Sequence, residues 1–280
     1  MAITFKKVKH AFKRHPFLYF VRYLLLSKNN KETDITNLYC FNDSNHIADV
    51  PKLYFEINTQ IKLNPTQDEL EKSLVIGDFL RSTLKGGTGI GLSSEKTLEI
   101  MLAGQGGVCS DFSQIFNVFC LINGIRVKEW GIVDCFYNSQ FGHSFNEIYS
   151  TKLQKWVAID IHKAIIFEDV AHNSYFSVVD LFTDLRKGNP LQAKHYSNYV
   201  SPDLERTPMV YSKETIPFLL DNKENAAVDY YYNKFQNTMP IILINIILIL
   251  LRKNQTFIFV MDDYKVKLLP QYFQKLKWFS

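Results

Sequence analysis

The stretch Gly104-Gln105-Gly106-Gly107-Val108-Cys109-Ser110-Asp111-Phe112 decides how this chain is read. A glycine-rich turn delivers one cysteine to the start of a segment in which Phe112, Ile115, Phe116, Phe119 and Ile122 recur at helical spacing. Gly124 supplies the stop, so a helix is expected over residues 109–123. A thiol at a helix N-terminus is a candidate nucleophile, because oriented N–H groups and the helix dipole favour a negative charge there. The glycines also let another backbone approach closely.

Three strands are expected after this helix: Arg126 to Phe136, His143 to Tyr149 and Lys155 to Ile161. In the third, Trp156, Ala158 and Asp160 share one face. A hairpin turning at Thr151-Lys152 pairs positions whose numbers sum to about 303, as those of His143 and Asp160 do. That register sets the two side chains opposite each other, close enough for a carboxylate to hold an imidazole.

Nucleophilic cysteine chemistry needs this set of residues. Cys109 is the candidate nucleophile, His143 the base and Asp160 the group that orients it. An oxyanion donor is also required, and the Cys109 backbone N–H and the Gln105 side chain are the candidates. Each residue also has a plainer role open to it. A strand histidine can be structural, Asp160 can cap a turn, Gln105 can be a loop residue, and His162 and His172 compete as bases. Cys120 and Cys135 read as small packing hydrophobes.

Gly-Val-Cys-Ser-Asp-Phe-Ser at 107–113, Gly-His-Ser-Phe-Asn-Glu-Ile-Tyr at 142–149 and Lys-Trp-Val-Ala-Ile-Asp at 155–160 resemble the signature blocks of the transglutaminase-like superfamily. The likeness covers residues 66–187 and is nearest to bacterial members. It implies an α+β fold, a papain-like core whose nucleophile-bearing helix packs on an antiparallel sheet. It also implies a catalytic triad of Cys109, His143 and Asp160. The family includes peptidases, peptide N-glycanases, amine-transferring enzymes and non-catalytic relatives. The implied activity is therefore that of a cysteine hydrolase or acyltransferase on a protein, peptide or other amide. A protein-glutamine transglutaminase and a silent binding module are the alternatives. The flanks do not resemble the additional domains of animal transglutaminases, and no calcium-loop pattern is visible.

Working outward, Gly86-Gly87-Thr88-Gly89-Ile90-Gly91 lacks the ending of a nucleotide loop and is expected to be a flexible loop. Ser94 to Leu102 reads as a short helix with Ser94 as its cap, and Thr66 with Glu69 as a capping box opening another that runs to about Leu84. Phe55-Glu56-Ile57-Asn58 and Ile61-Lys62-Leu63 read as extended pieces. The division expected is an N-terminal segment and linker over 1–65, the catalytic core over 66–187 and an extension over 188–280. Ile241 to Leu251 is apolar except for Asn245. It is shorter than the about 20 residues a span needs, which suggests a buried or interfacial helix.

Residues 1–28 carry seven Lys or Arg and no acid, more than the whole chain's net +4, and so leave the remainder at −3. With Phe5, Val8 and Phe12 at helical spacing, this segment suits either an anionic membrane surface or packing on the domain with solvated lysines. Peripheral membrane contact is expected through residues 1–28 or 239–253. A basic stripe across the folded body is lacking, so nucleic acid is not an expected partner. The four cysteines show no zinc-ligand spacing, and neither a metal nor a cofactor is expected. Scattered thiols and the lack of a signal peptide point to a cytoplasmic, membrane-associated or free, location.

Overall fold

The computed structural model describes residues 27–29, 35, 37–38, 40–133, 142–199, 204–221, 223–254 and 257–262. Nearly all of the basic N-terminal segment, Cys135 and the end of the first expected strand lie outside them. The fold is α+β with a mostly antiparallel sheet.

Five helices precede the main strands: α1 (Phe41–Ser44), α2 (Lys52–Asn58), α3 (Glu69–Thr83), α4 (Ser94–Leu102) and α5 (Cys109–Ile122). The strands are β1 (Ser27–Asn29), β2 (Val127–Val133), β3 (His143–Ser150), β4 (Lys155–Asp160), β5 (Ile165–Asp169), β6 (Ser174–Tyr175), β7 (Ala193–His195), β8 (Ile216–Asp221) and β9 (Phe257–Val260). Between and after them lie α6 (Val178–Arg186), α7 (Thr207–Val210), α8 (Asn225–Phe235) and α9 (Ile241–Leu250). The sheet runs β1-β9-β8-β2-β3-β4-β5-β6, with β7 on β5. β1 and β9 pair in parallel, and the other described pairs are antiparallel.

Each sheet face has its own core. Helices α2 to α5 cover one, where Phe112, Ile115, Phe116 and Phe119 meet Val127, Ile148, Val157 and Ile159. Burying each such side chain contributes about 1.5–3 kcal/mol, and this stripe fixes how α5 lies on β2 and β3. On the other face Trp130, Phe145 and Phe167 pack with Leu181 and Phe182 of α6 and with Tyr211. The central strand β3 is thus covered on both sides. At its C-terminus α5 closes with Ile125 N–H to Cys120 O at 2.9 Å and Gly124 N–H to Leu121 O at 3.2 Å. This is the paired terminal motif that glycine permits.

Four local expectations change. Residues 55–58 are helical, not extended: Tyr54, Ile57 and Ile61 are buried at helical spacing, and Tyr54 packs on Phe119 and donates to Ser94 O at 3.1 Å. The cap of α3 is Asp68 with Glu71, at 2.8 and 3.0 Å, rather than Thr66 with Glu69. Ser93, not Ser94, caps α4. The β3–β4 register is also shifted. Asn146 pairs with Ile159 and Ser150 with Lys155, so His143 and Asp160 are not directly opposite. The freed Glu69 explains the shift. Its carboxylate accepts from the Thr151 hydroxyl at 2.8 Å and the Thr151 N–H at 3.2 Å, while Leu153 N–H reaches Ser150 Oγ, and the connection becomes a four-residue turn.

Candidate active site

A shift of two residues keeps every side chain on its original face. His143 and Asp160 therefore still meet, as diagonal rather than direct neighbours. His143 Nε2 donates to Asp160 Oδ2 at 2.6 Å, with both side chains buried. This leaves Nδ1 as the other ring nitrogen, and Cys109 lies within hydrogen-bonding reach of the imidazole. The three residues come from α5, β3 and β4.

Cys109 is the first residue of α5 and is half-buried, whereas Cys40 and Cys120 are buried. Two features hold it there. The Asp111 carboxylate accepts from Val108 N–H at 2.9 Å and from Ile90 N–H at 3.1 Å, tying the helix start to the 86–91 loop. The Gly106-Gly107 turn pairs with that loop through Gly87 N–H to Gly107 O at 2.7 Å and Gly107 N–H to Thr88 O at 3.0 Å. Both glycines have positive φ, 89° and 115°. A Cβ on Gly106 would sit 2.7 Å from Thr88 O, and one on Gly107 2.4 Å from Met101 Cε. The loop expected to be flexible is therefore one wall of the cysteine turn. The Cys109 N–H donates to no acceptor among the described residues and remains available at the helix start. Gln105 lies on the same turn with its side chain exposed, and its own N–H closes onto Ile100 O at 3.0 Å.

Burial alone would lower the basicity of His143. The charge of Asp160, then that of Cys109, and hydrogen bonds to both outweigh it and raise the pKa from 6.5 to about 10. Burial would likewise raise the Asp160 pKa. The His143 charge and its hydrogen bond, with help from His162 and the Lys163 N–H, instead lower it from 3.8 to about 2. The pair is thus an imidazolium held on a carboxylate, with the Cys109 sulfur beside it.

Two nearby side chains escape a search for motifs. Tyr211 is 1% exposed, and its hydroxyl donates to Asp160 Oδ2 at 2.8 Å, the same oxygen that holds His143. Its ring meets His143 edge-on at 5.9 Å and packs on Phe145 and Phe167. Nothing around a lone tyrosine 51 positions after Asp160 in sequence signals this. His162, in the turn after β4, stands edge-on to both His143 and Phe112. Of the competing bases, His162 neighbours the pair without holding the short bond to Asp160. His172 is engaged with Asp169 at 2.8 Å on the exposed surface. No cluster of three His, Cys, Asp or Glu placed for a metal occurs among the described residues.

No protein-family model and no curated protein matches the chain. A solved structure, "The Crystal Structure of a Putative Cysteine Protease from Cytophaga hutchinsonii", matches at 21% identity. The match covers 44% of this chain and 38% of that one, with a TM-score of 0.31, and at that score it carries no argument.

Proposed function

We infer that this chain is a thiol-dependent hydrolase or acyltransferase acting on an amide bond. The observation that carries the reading is the buried His143–Asp160 bond of 2.6 Å beside a half-buried cysteine at a helix N-terminus. In the reaction that follows from it, the Cys109 thiol gives its proton to His143, and the resulting thiolate attacks the amide carbonyl carbon. The developing oxyanion meets the Cys109 N–H, with Gln105 as a second donor from the exposed turn. As the tetrahedral intermediate collapses, the C–N bond breaks and His143 gives its proton to the departing amine. A thioester acyl-enzyme remains. An incoming water or amine then loses its proton to His143, attacks the thioester and releases Cys109. Asp160 keeps the imidazole in the required tautomer and stabilises its charged form throughout.

Water is the favoured acceptor, because excluding it demands a closed and dry site, and Cys109 is half-buried rather than sealed. The direct test pairs alkylation with a turnover assay. Iodoacetamide at neutral pH is expected to modify Cys109 well before Cys40 or Cys120, and equal rates would overturn the reading. Glutamine peptides supplied with a fluorescent amine then separate the outcomes. Ammonia or peptide cleavage without label marks hydrolysis, and label incorporation marks amine transfer. Neither, over a broad peptide library, marks a binding module.

A further inference from the structure

Helix α4 is the common support of the cysteine turn. The 86–91 loop leads into its N-terminus. Its last turn passes into the glycine turn through Gly104 N–H to Met101 O and Gln105 N–H to Ile100 O, both at 3.0 Å. The loop and the turn then pair with each other, and Met101 lies so close to Gly107 that a Cβ there would meet Met101 Cε at 2.4 Å. Loop, helix and turn thus close a ring that ends at Cys109. Any displacement of α4 would move both walls of the turn at once.

Helix α8 holds this ring from outside. The Asp229 carboxylate, 135 positions after Ser94, accepts from Ser94 N–H at 2.7 Å on Oδ1 and from the Ser94 hydroxyl at 2.6 Å on Oδ2. One helical turn on, Asn233 Oδ1 accepts from the Ser93 hydroxyl at 3.3 Å. Leu92 packs into the apolar cluster that α8 forms with Ile244 and Leu248 of α9. No described helix, α9 included, is long and apolar enough to cross a membrane. Helix capping alone does not call for Asp229. Ser93 already caps α4 by accepting from Lys96 N–H at 3.4 Å. Burial also raises the Asp229 pKa, so the carboxylate stands there against a desolvation cost. What it adds is a two-point hold between segments with no local connection. We propose that Asp229 is a positioning residue for Cys109, fixing α4 and, through α4, the loop and the turn that set the thiol at the helix start. Its effect on reactivity rests on the reading of Cys109 as nucleophile, whereas the mechanical hold does not.

Asp229→Ala and Asp229→Asn in the full chain test both parts. Asparagine can accept from Ser94 N–H and donate to the Ser94 hydroxyl, so it keeps the hold that alanine loses. Amide exchange at Gly87 and Gly107, whose N–H groups join the loop to the turn, is expected to accelerate at least about tenfold in Asp229→Ala. Exchange in β3 and β4 is expected to stay unchanged. Iodoacetamide modification of Cys109 is expected to slow at least about tenfold in the same variant. Asp229→Asn is expected to restore both rates. Ser94→Ala deletes only the hydroxyl bond and is expected to move both rates the same way by less, which keeps the test open should Asp229→Ala not fold. Unchanged exchange at Gly87 and Gly107 would overturn the proposal. So would loosened glycines beside a reactive Cys109 whose alkylation is unchanged or faster. Exchange that rises equally in β3 and β4 would mark general destabilisation and overturn it as well. A wild-type Cys109 that reacts no faster than Cys40 would instead overturn the thiol reading, with exchange at the two glycines still deciding the hold.

Discussion

Two buried carboxylates on the strands that flank β3, Glu129 on β2 and Asp160 on β4, show how one fold pushes the same group in opposite directions. Glu129 accepts from Asn117 Nδ2 at 2.9 Å, Asn117 in turn accepts from Asn146 at 2.7 Å, and Lys223 lies 4.0 Å away. Burial dominates there and raises the Glu129 pKa, favouring a neutral group inside a sealed polar knot between α5 and the sheet. Asp160 is just as buried, yet its pKa is lowered, because the charge and hydrogen bond of the His143 imidazole at 2.6 Å, with the His162 charge and the Lys163 N–H, outweigh burial. The Tyr211 hydroxyl completes its hydrogen-bonded shell. Burial of an acid does not by itself make a site. A carboxylate kept charged, holding a cation next to a half-buried thiol, is what sets this end of the sheet apart.

The comparison breaks most sharply at Asp160. Asp160→Ala strands a buried imidazole and the Tyr211 hydroxyl, and is expected to cost about 3–5 kcal/mol in urea unfolding. Cys109 alkylation is expected to slow markedly in the same variant. An unchanged alkylation rate in a folded Asp160→Ala protein would separate the pair from the thiol.

Titration supplies the next test. The folded pKa of His143 is raised from 6.5 to about 10, so its contribution is complete below pH 6.5 and is lost as the pH climbs through about 10. That of Asp160 is lowered from 3.8 to about 2, so its contribution is complete above 3.8 and is lost as the pH falls through about 2. Unfolding free energy is therefore expected to be flat in this respect between about pH 4 and 6.5. Cys109→Ala removes one of the groups that raise the His143 pKa, so the alkaline loss still begins near 6.5 but is expected to finish at a lower pH. An unmoved alkaline limb would show that thiol and imidazole do not interact.

Asn117→Ala probes the other side. It leaves Glu129 and Asn146 short of a partner and is expected to cost about 1–3 kcal/mol. The alkylation rate of Cys109 is expected to stay unchanged, which makes this variant the structural control for Asp160→Ala. The smallest effect is expected from Tyr211→Phe, which removes one donor from a carboxylate that keeps two others. A loss of roughly 1.5 kcal/mol and a few-fold slower alkylation are expected. Full stability with slower alkylation would mark Tyr211 as a positioning residue alone.

Much of the fold was legible in the sequence. Helix α5 announces itself through the 3.6 period that one buried face imposes on its apolar residues, and strands β3 and β4 through short runs rich in β-branched and aromatic residues bounded by turn residues. The cysteine turn was legible because glycine is the residue that tolerates its backbone angles. The face shared by His143 and Asp160 was legible too, because alternation survives a register error of two.

The register itself belonged to the tertiary structure, since a carboxylate on α3, far away in sequence, decides how Thr151 turns. So did the pinning of the 86–91 loop, which rests on Asp111 and on backbone pairs that no periodicity encodes. Tyr211 arrives at Asp160 only when the chain returns past the sheet after β7. Local pattern determines which face a residue takes, because that preference is set by its neighbours along the chain. Which distant group completes a hydrogen-bonded shell is set by packing, and the chain must fold before that partner exists.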